Sequence, residues 1–203
     1  NYSISEIVAK LISIRKKNID DINLFLDPKI KNLLPNPYHI KDMKNAIERT
    51  CKSIYEGEII GIFGDYDVDG ASSTALLARY FTSINQKIKT YIPDRQTEGY
   101  GPSEIGFKNL INAHSKLIFT VDCGTMSFEP INYAKKTNVD VIVLDHHQSD
   151  VKLPNACAIV NPNRYDDKSG LNYLCAAGVC FIFLVGLNKK LREENWFLKN
   201  KIT

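Results

Sequence analysis

The sequence predicts an α/β fold, a parallel sheet with helices on both faces, preceded by an N-terminal helical segment. Three observations carry this. From residue 59 onward, short apolar or β-branched runs alternate with helix-length segments. The runs are nearly continuously apolar, as expected of strands buried on both faces. Three of them run into aspartates at the same end.

The N-terminal segment is helical by spacing. Ser3 and Glu6 stand three apart in the pattern of a capping box. Ile4, Ile7, Val8, Leu11 and Ile12 follow on one helical face. Arg15-Lys16-Lys17 closes that helix, where cations suit the negative end of its dipole. A solvated helix end explains this triplet better than a DNA contact. Residues 19–26 suggest a short helix stopped by Pro28, and Leu33-Leu34-Pro35-Asn36-Pro37 reads as a turn-rich connector. Ile40, Met43, Ile47, Cys51 and Ile54 give a second amphipathic helix, ended by Gly57 at the C′ position. Residues 1–56 therefore read as a helical preface, and 57–203 as the domain that holds the sheet.

In that domain the expected strands are Ile59–Phe63, Ile88–Ile92, Lys116–Val121, Val139–Leu144 and Ala156–Val160. The expected helices fall near 71–84, 103–113 and 127–137. A last helix runs from Ala176 to Leu191, and Trp196 and Phe197 suggest further packing beyond it.

Composition narrows the function classes. The chain has 203 residues, 44% of them hydrophobic and 24% charged, ordinary for a soluble globular protein with a sizeable core. No stretch reaches the length of a membrane span, and there is no signal-peptide pattern. Cys51, Cys123, Cys157, Cys175 and Cys180 include no Cys-x-x-Cys pair, and read as reduced thiols of a cytoplasmic protein. The net charge of +3 permits a nucleic-acid partner without demanding one.

The chemistry centres on Gly64-Asp65-Tyr66-Asp67-Val68-Asp69-Gly70. Three carboxylates at alternate positions repel one another unless cations neutralise them, and oxygen donors suit Mg²⁺, Ca²⁺ or Mn²⁺. A calcium-binding EF-hand loop would need a Glu where Leu76 stands and a helix, not a strand, before it. A P-loop would need a Lys after the turn, and none follows Gly70. A solvated acidic turn remains open on this stretch alone.

The other strand ends decide between them. Functional crevices of open parallel sheets lie at the carboxyl ends of the strands. There the third expected strand runs into Asp122-Cys123-Gly124, and the fourth into Asp145-His146-His147. In the latter, one histidine can ligate while Asp145 orients a ring through a hydrogen bond behind it. Carboxylate and imidazole without thiolate favour Mn²⁺ or Mg²⁺ over structural zinc. After the second strand, Arg95 could fork a phosphate and Tyr100 stack on a base, although a Gly/Pro-rich surface loop explains this segment equally well.

Taken together, Gly64–Gly70, Glu98-Gly99-Tyr100-Gly101, Thr120-Val121-Asp122-Cys123-Gly124 and Asp145-His146-His147 resemble the DHH phosphoesterase superfamily, specifically the RecJ single-stranded-DNA exonucleases. The resemblance extends to the Leu33–Pro37 segment and the helix after it, and so covers nearly the whole chain. It implies a 5′-to-3′ exonuclease acting on single-stranded DNA in recombination and repair, with two Mn²⁺ or Mg²⁺ ions as cofactors. On this resemblance Asp65, Asp67, Asp69, Asp122 and His146 are metal ligands, with Asp122 bridging. The catalytic set is Asp67, Asp69, Asp122, His146 and His147. His147 meets the scissile phosphate, Arg95 and Tyr100 hold the nucleic acid, and Asp145 stands behind the ligands.

RecJ proteins are longer and carry a further metal-binding aspartate downstream. Asp150, Asp166 and Asp167 lie too close to the Asp-His-His triplet for that role. The expectation is therefore a C-terminally truncated catalytic domain at 57–203, whose missing domains would meet other repair proteins. Two alternatives are a DHH phosphodiesterase for short oligonucleotides or cyclic dinucleotides, and a non-catalytic binding module. The first usually carries a histidine where this chain has Phe63, and the second would have lost ligands that are present here.

Overall fold

The computed structural model describes residues 4–15 and 22–202. The chain divides into two compact units, Asn1–Pro35 and Asn36–Thr203. Among the described residues the first holds three helices: α1 (Glu6–Arg15), α2 (Ile22–Leu26) and α3 (Ile30–Leu33). Ser5 Oγ accepts from Val8 N–H at the start of α1. Ser3 of the expected capping box, Lys16 and Lys17 of the basic triplet, and residues 19–21 lie outside the described residues. On α1, Ile12 is buried while Ile7 and Leu11 are exposed.

The second unit opens with a 3₁₀ turn (Pro37–His39) and α4 (Met43–Glu56). Then come β1 (Ile59–Gly64), α5 (Val68–Ser83), β2 (Ile88–Tyr91), α6 (Glu104–Asn112) and β3 (Ser115–Val121). The chain continues through α7 (Phe128–Lys136), β4 (Asp140–Leu144), β5 (Ala158–Val160), α8 (Ala176–Glu193) and α9 (Trp196–Asn200). The 14-residue α4, grouped from sequence with the preface, belongs to this unit and buries Met43, Ala46, Ile47, Cys51 and Ile54 in its core. Gly57, at φ +66°, closes α4 by donating to Ser53 and Ile54 carbonyls, a left-handed position that favours glycine. Helix α5 starts three residues before the expected boundary, because Asp67 caps it rather than lying in a turn ahead of it.

All strand pairs are parallel, in the order β2-β1-β3-β4-β5. Side chains alternate between two buried layers. Ile60, Ile62, Leu117, Phe119, Ile142 and Leu144 face α4, α5 and α8. Phe63, Ile118, Val141 and Val143 face α6 and α7. Burying each large side chain, Phe119 or Phe107 for example, contributes about 1.5–3 kcal/mol. Helices on both faces thus explain the uninterrupted apolar strands. Among the described residues, no helix is long and apolar enough to cross a membrane.

The order also fixes the crevice. From β1 the chain winds outward to β2, then returns across β1 to β3. The carboxyl ends of β1 and β3 therefore flank the point where winding reverses, where open α/β sheets bind ligands.

Candidate metal centre

Register sets Gly64, Val121, Leu144 and Val160 side by side across four strands. The residues that follow them, Asp65, Asp122, Asp145 and Asn161, form the next row, and all four are buried. Two ladder bonds extend into this row: Asp122 N–H donates to Leu144 O at 3.0 Å, and Asp145 N–H to Val160 O at 3.1 Å. Three polar tips out of four are carboxylates, packed where strands force them together.

Asp65 accepts from Tyr66 N–H at 2.8 Å, and burial holds its carboxyl above the usual range. A Cβ on Gly70 would stand 2.5 Å from Asp65 O, so only glycine lets the first turn of α5 approach this closely. Asp67 accepts from Gly70 N–H at 2.9 Å as the N-cap of α5, and this bond keeps its carboxyl below the usual range. Capping leaves its remaining acceptor capacity for the cluster.

Asp122 has the most constrained environment. Its backbone is left-handed, at φ +60°, and its side chain is buried. Burial, the hydrogen bond with Asp67 and the charges of Asp69 and Asp67 push its carboxyl up to about 8. His146 Nε2 approaches Asp122 Oδ1 to 3.3 Å, yet that oxygen has no hydrogen-bond partner. A buried acceptor left unpaired beside other carboxylates is costly unless a cation meets it.

Two groups of donor atoms each lie within 4.8 Å of one another: Asp65, Asp67 and Asp122, and Asp122, His146 and His147. Asp122 is common to both. Oxygen-rich donors with imidazole and no thiolate fit Mn²⁺ or Mg²⁺. Asp69 belongs to neither group but borders the second. Its carboxylate accepts from Ala176 and Ala177 N–H at the start of α8, and Oδ2 lies 3.6 Å from His146 Nε2.

Asp145 organises the histidine turn. Its Oδ1 accepts from His146 N–H (2.7 Å), from His147 N–H (3.2 Å) and pairs with His147 Nδ1 at 2.7 Å, while Oδ2 accepts from Thr125 N–H. Burial opposes the charged form, but these bonds outweigh it and hold the carboxyl below the usual range. In return the Asp145 hydrogen bond raises His147 to about 8.

The expected nucleic-acid residues lie beside the cluster. Tyr100 Oη meets His147 Nε2 at 3.1 Å, and its ring packs edge-on to Tyr66. The Arg95 guanidinium lies over the Tyr66 ring at 5.5 Å rather than against a carboxylate. Glu98 anchors this loop by accepting from Tyr91 Oη, Asp94 N–H and Ser103 Oγ.

Sequence reasoning missed Asn161 and Asn163. Their signal was positional: Val160-Asn161-Pro162-Asn163 leaves the fifth strand as the aspartates leave the others. A neutral amide at a strand end carries none of the metal-ligand signal that acids and histidines do.

The pattern of the "DHH family, N-terminal domain" matches residues 59–202. The single-stranded-DNA-specific exonuclease RecJ of Bacillus subtilis is 34% identical over 192 residues, 94% of this chain and 24% of that protein. RecJ of Escherichia coli is 34% identical over 178 residues, 87% of this chain and 31% of that protein. A crystal structure of exonuclease RecJ bound to manganese superposes with a TM-score of 0.68 at 30% identity, over 75% of this chain and 38% of that one. RecJ from Thermus thermophilus in complex with Mn²⁺ gives 0.62 at 27% identity, over 75% and 21%. The chain therefore spans about a quarter to a third of the length of the curated relatives it matches. Fold, strand-end motifs and family pattern agree: the chain belongs to the DHH family.

Proposed function

We propose that residues 57–203, with α4 packed into their core, form a catalytic domain of a single-strand-specific DNA exonuclease that removes nucleotides from 5′ ends, serving recombination and repair in the cytoplasm. The observation that carries this reading is the convergence of Asp65, Asp67, Asp122, His146 and His147 at the ends of β1, β3 and β4. Phe63, where short-oligonucleotide phosphodiesterases of the superfamily usually carry histidine, is fully buried against Tyr91 and Phe107. That side chain does not reach the site, which favours the exonuclease.

Asp65, Asp67, Asp69, Asp122 and His146 would hold two divalent ions, with Asp122 shared. When bound, such ions polarise phosphoryl oxygens and lower the pKa of a coordinated water. The chain supplies the positioning. Asp145 fixes the His147 ring through Nδ1, leaving Nε2 toward Tyr100 and an incoming phosphate oxygen. With Nδ1 held by Asp145, the Nε2 edge is the one that can hydrogen-bond that oxygen. Tyr66 and Tyr100 offer faces for base stacking, and Arg95 a fork for the phosphate backbone.

The test incubates the chain with Mn²⁺ and 5′-phosphorylated single strands, duplexes or dinucleotides, and reads product lengths. Mononucleotides from single strands, dependent on Mn²⁺, are expected. Turnover of dinucleotides without long strands would replace the exonuclease by the short-oligonucleotide enzyme. Failure to bind Mn²⁺ would leave a non-catalytic binding module.

A further inference from the structure

The histidine turn is held from one side by Asp145 and from the other by two amides of the β5 exit. Asn161, fully buried, donates from Nδ2 to Thr125 Oγ1 and to His147 O, each at 2.8 Å. Its Oδ1 accepts from Asn163 N–H at 2.8 Å, and Asn163 Nδ2 donates to His146 O. The carbonyls of His146 and His147 can only accept, so the amide nitrogens must face them. Thr125 closes the ring, since its N–H donates to Asp145 Oδ2. Asn161, Thr125, Asp145 and His147 thus form one closed set of hydrogen bonds at three strand ends.

The segment that carries the amides is itself anchored. Arg164 N–H donates to Asn161 O, which makes residues 161–164 a turn. The nearly buried Arg164 guanidinium bonds Asp42 Oδ2 and Ile159 O, both at 2.6 Å, and pairs with Asp166. Asp42 also accepts from Ile159 N–H. The turn is therefore tied to the start of α4 and to β5, rigid parts of the core.

We infer that Asn161 and Asn163 are positioning residues for the site: through the carbonyls of His146 and His147 they set where both imidazoles stand against Asp122 and Asp145. The consequence for metal rests on the proposed function, whereas the imidazole geometry does not. Partners behind a metal ligand typically change affinity by 10–100-fold when removed. Asn161→Asp keeps the side-chain shape but turns an oxygen toward the His147 carbonyl, which can only accept. Asn163→Ala removes a half-buried donor and leaves the rest of the turn.

The test measures Mn²⁺ binding by calorimetry and histidine imidazole NMR signals in metal-free protein. It compares wild type, Asn161→Asp, Asn163→Ala and the core control Ile47→Val. The Asn variants should bind Mn²⁺ about 10–100-fold more weakly and move the His146 and His147 signals, but not those of His39 and His114. Ile47→Val should lower the melting temperature without either change. Wild-type Mn²⁺ affinity and unmoved His146 and His147 signals in both Asn variants would overturn the inference. If wild type itself binds no Mn²⁺, the metal reading falls, and displaced His146 and His147 signals still sustain the positioning role. If Asn161→Asp does not fold, Asn163→Ala decides by the same readings.

Discussion

Asp69 Oδ2 accepts a 2.7 Å hydrogen bond from the amide of Ala176, a residue 107 positions further along the chain. Its other oxygen accepts from Ala177 at 2.9 Å. Helix α8 has Cys175 at its N-cap, whose side chain makes no capping bond, so a carboxylate from α5 supplies what the local sequence lacks. The negative charge also meets the positive end of an 18-residue helix.

Asp69→Ala should therefore destabilise the fold by about 0.5–2 kcal/mol, the range for losing an N-cap. For a chain of this size that is roughly 2–4 °C per kcal/mol in melting temperature. Asn keeps one acceptor oxygen, and Asp69→Asn should lose less. Urea unfolding of the metal-free variants reads both. Equal stability for wild type and the alanine variant would show that α8 draws no support from Asp69.

Asp122→Asn should have opposite effects with and without metal. Asn tolerates the left-handed backbone at this position and is neutral without taking up a proton, whereas the Asp122 carboxyl, pushed up to about 8, must hold at neutral pH a proton that it would release when unfolded. At neutral pH the metal-free variant should melt above wild type, by at least about 2 °C if a single kcal/mol of that cost is relieved. Added Mn²⁺ should stabilise wild type but not the variant, and Mn²⁺-dependent hydrolysis should be lost. Near-normal turnover would remove Asp122 from the centre.

Gly70→Ala tests the close approach behind the first motif. The added methyl would press on Asp65 O, and the first turn of α5 would have to shift. Overpacking of this kind costs about 1–3 kcal/mol. A loss in that range, with weakened Mn²⁺ binding, is expected from thermal melts and calorimetry. An unchanged melting temperature would mean that the turn yields freely.

How much of this was legible follows from where each residue's partners lie. Asp65, Asp67, Asp122 and the Asp-His-His turn were readable because each sits at the end of its own apolar run, and parallel strands bring those ends together. Asp67's capping bond to Gly70 spans three residues and shifts the start of α5 by the same amount. The long-range partnerships were not readable. Asp69 serves α8, Arg164 reaches back 122 positions to Asp42, and Asn161 meets His147 only because β5 pairs with β4. The packing of α4 belongs to the same class: its amphipathic face was visible, but not the sheet layer that covers it.

Asp166 gives a pH test well away from the carboxylate cluster. Its carboxylate meets Lys41 Nζ at 2.7 Å and Arg164 Nε at 2.9 Å. The Lys41 hydrogen bond first, then that of Arg164, lowers it from its ordinary 3.8 to about 2. A carboxyl depressed in the folded state stabilises above its unfolded value and loses that contribution as pH falls through the folded one. The support from Asp166 should therefore be complete above about pH 5, fall through the interval between 3.8 and about 2, and be gone at about pH 1. Asp166→Asn should be less stable than wild type at pH 6, with the gap closing over that window. Because Asp166 is 42% exposed, salt should shrink the gap as screening weakens the pairs. A carboxyl NMR titration with its midpoint near 3.8 in wild type, or a stability gap independent of pH, would remove these two ion pairs from the account of how the β5 exit is held.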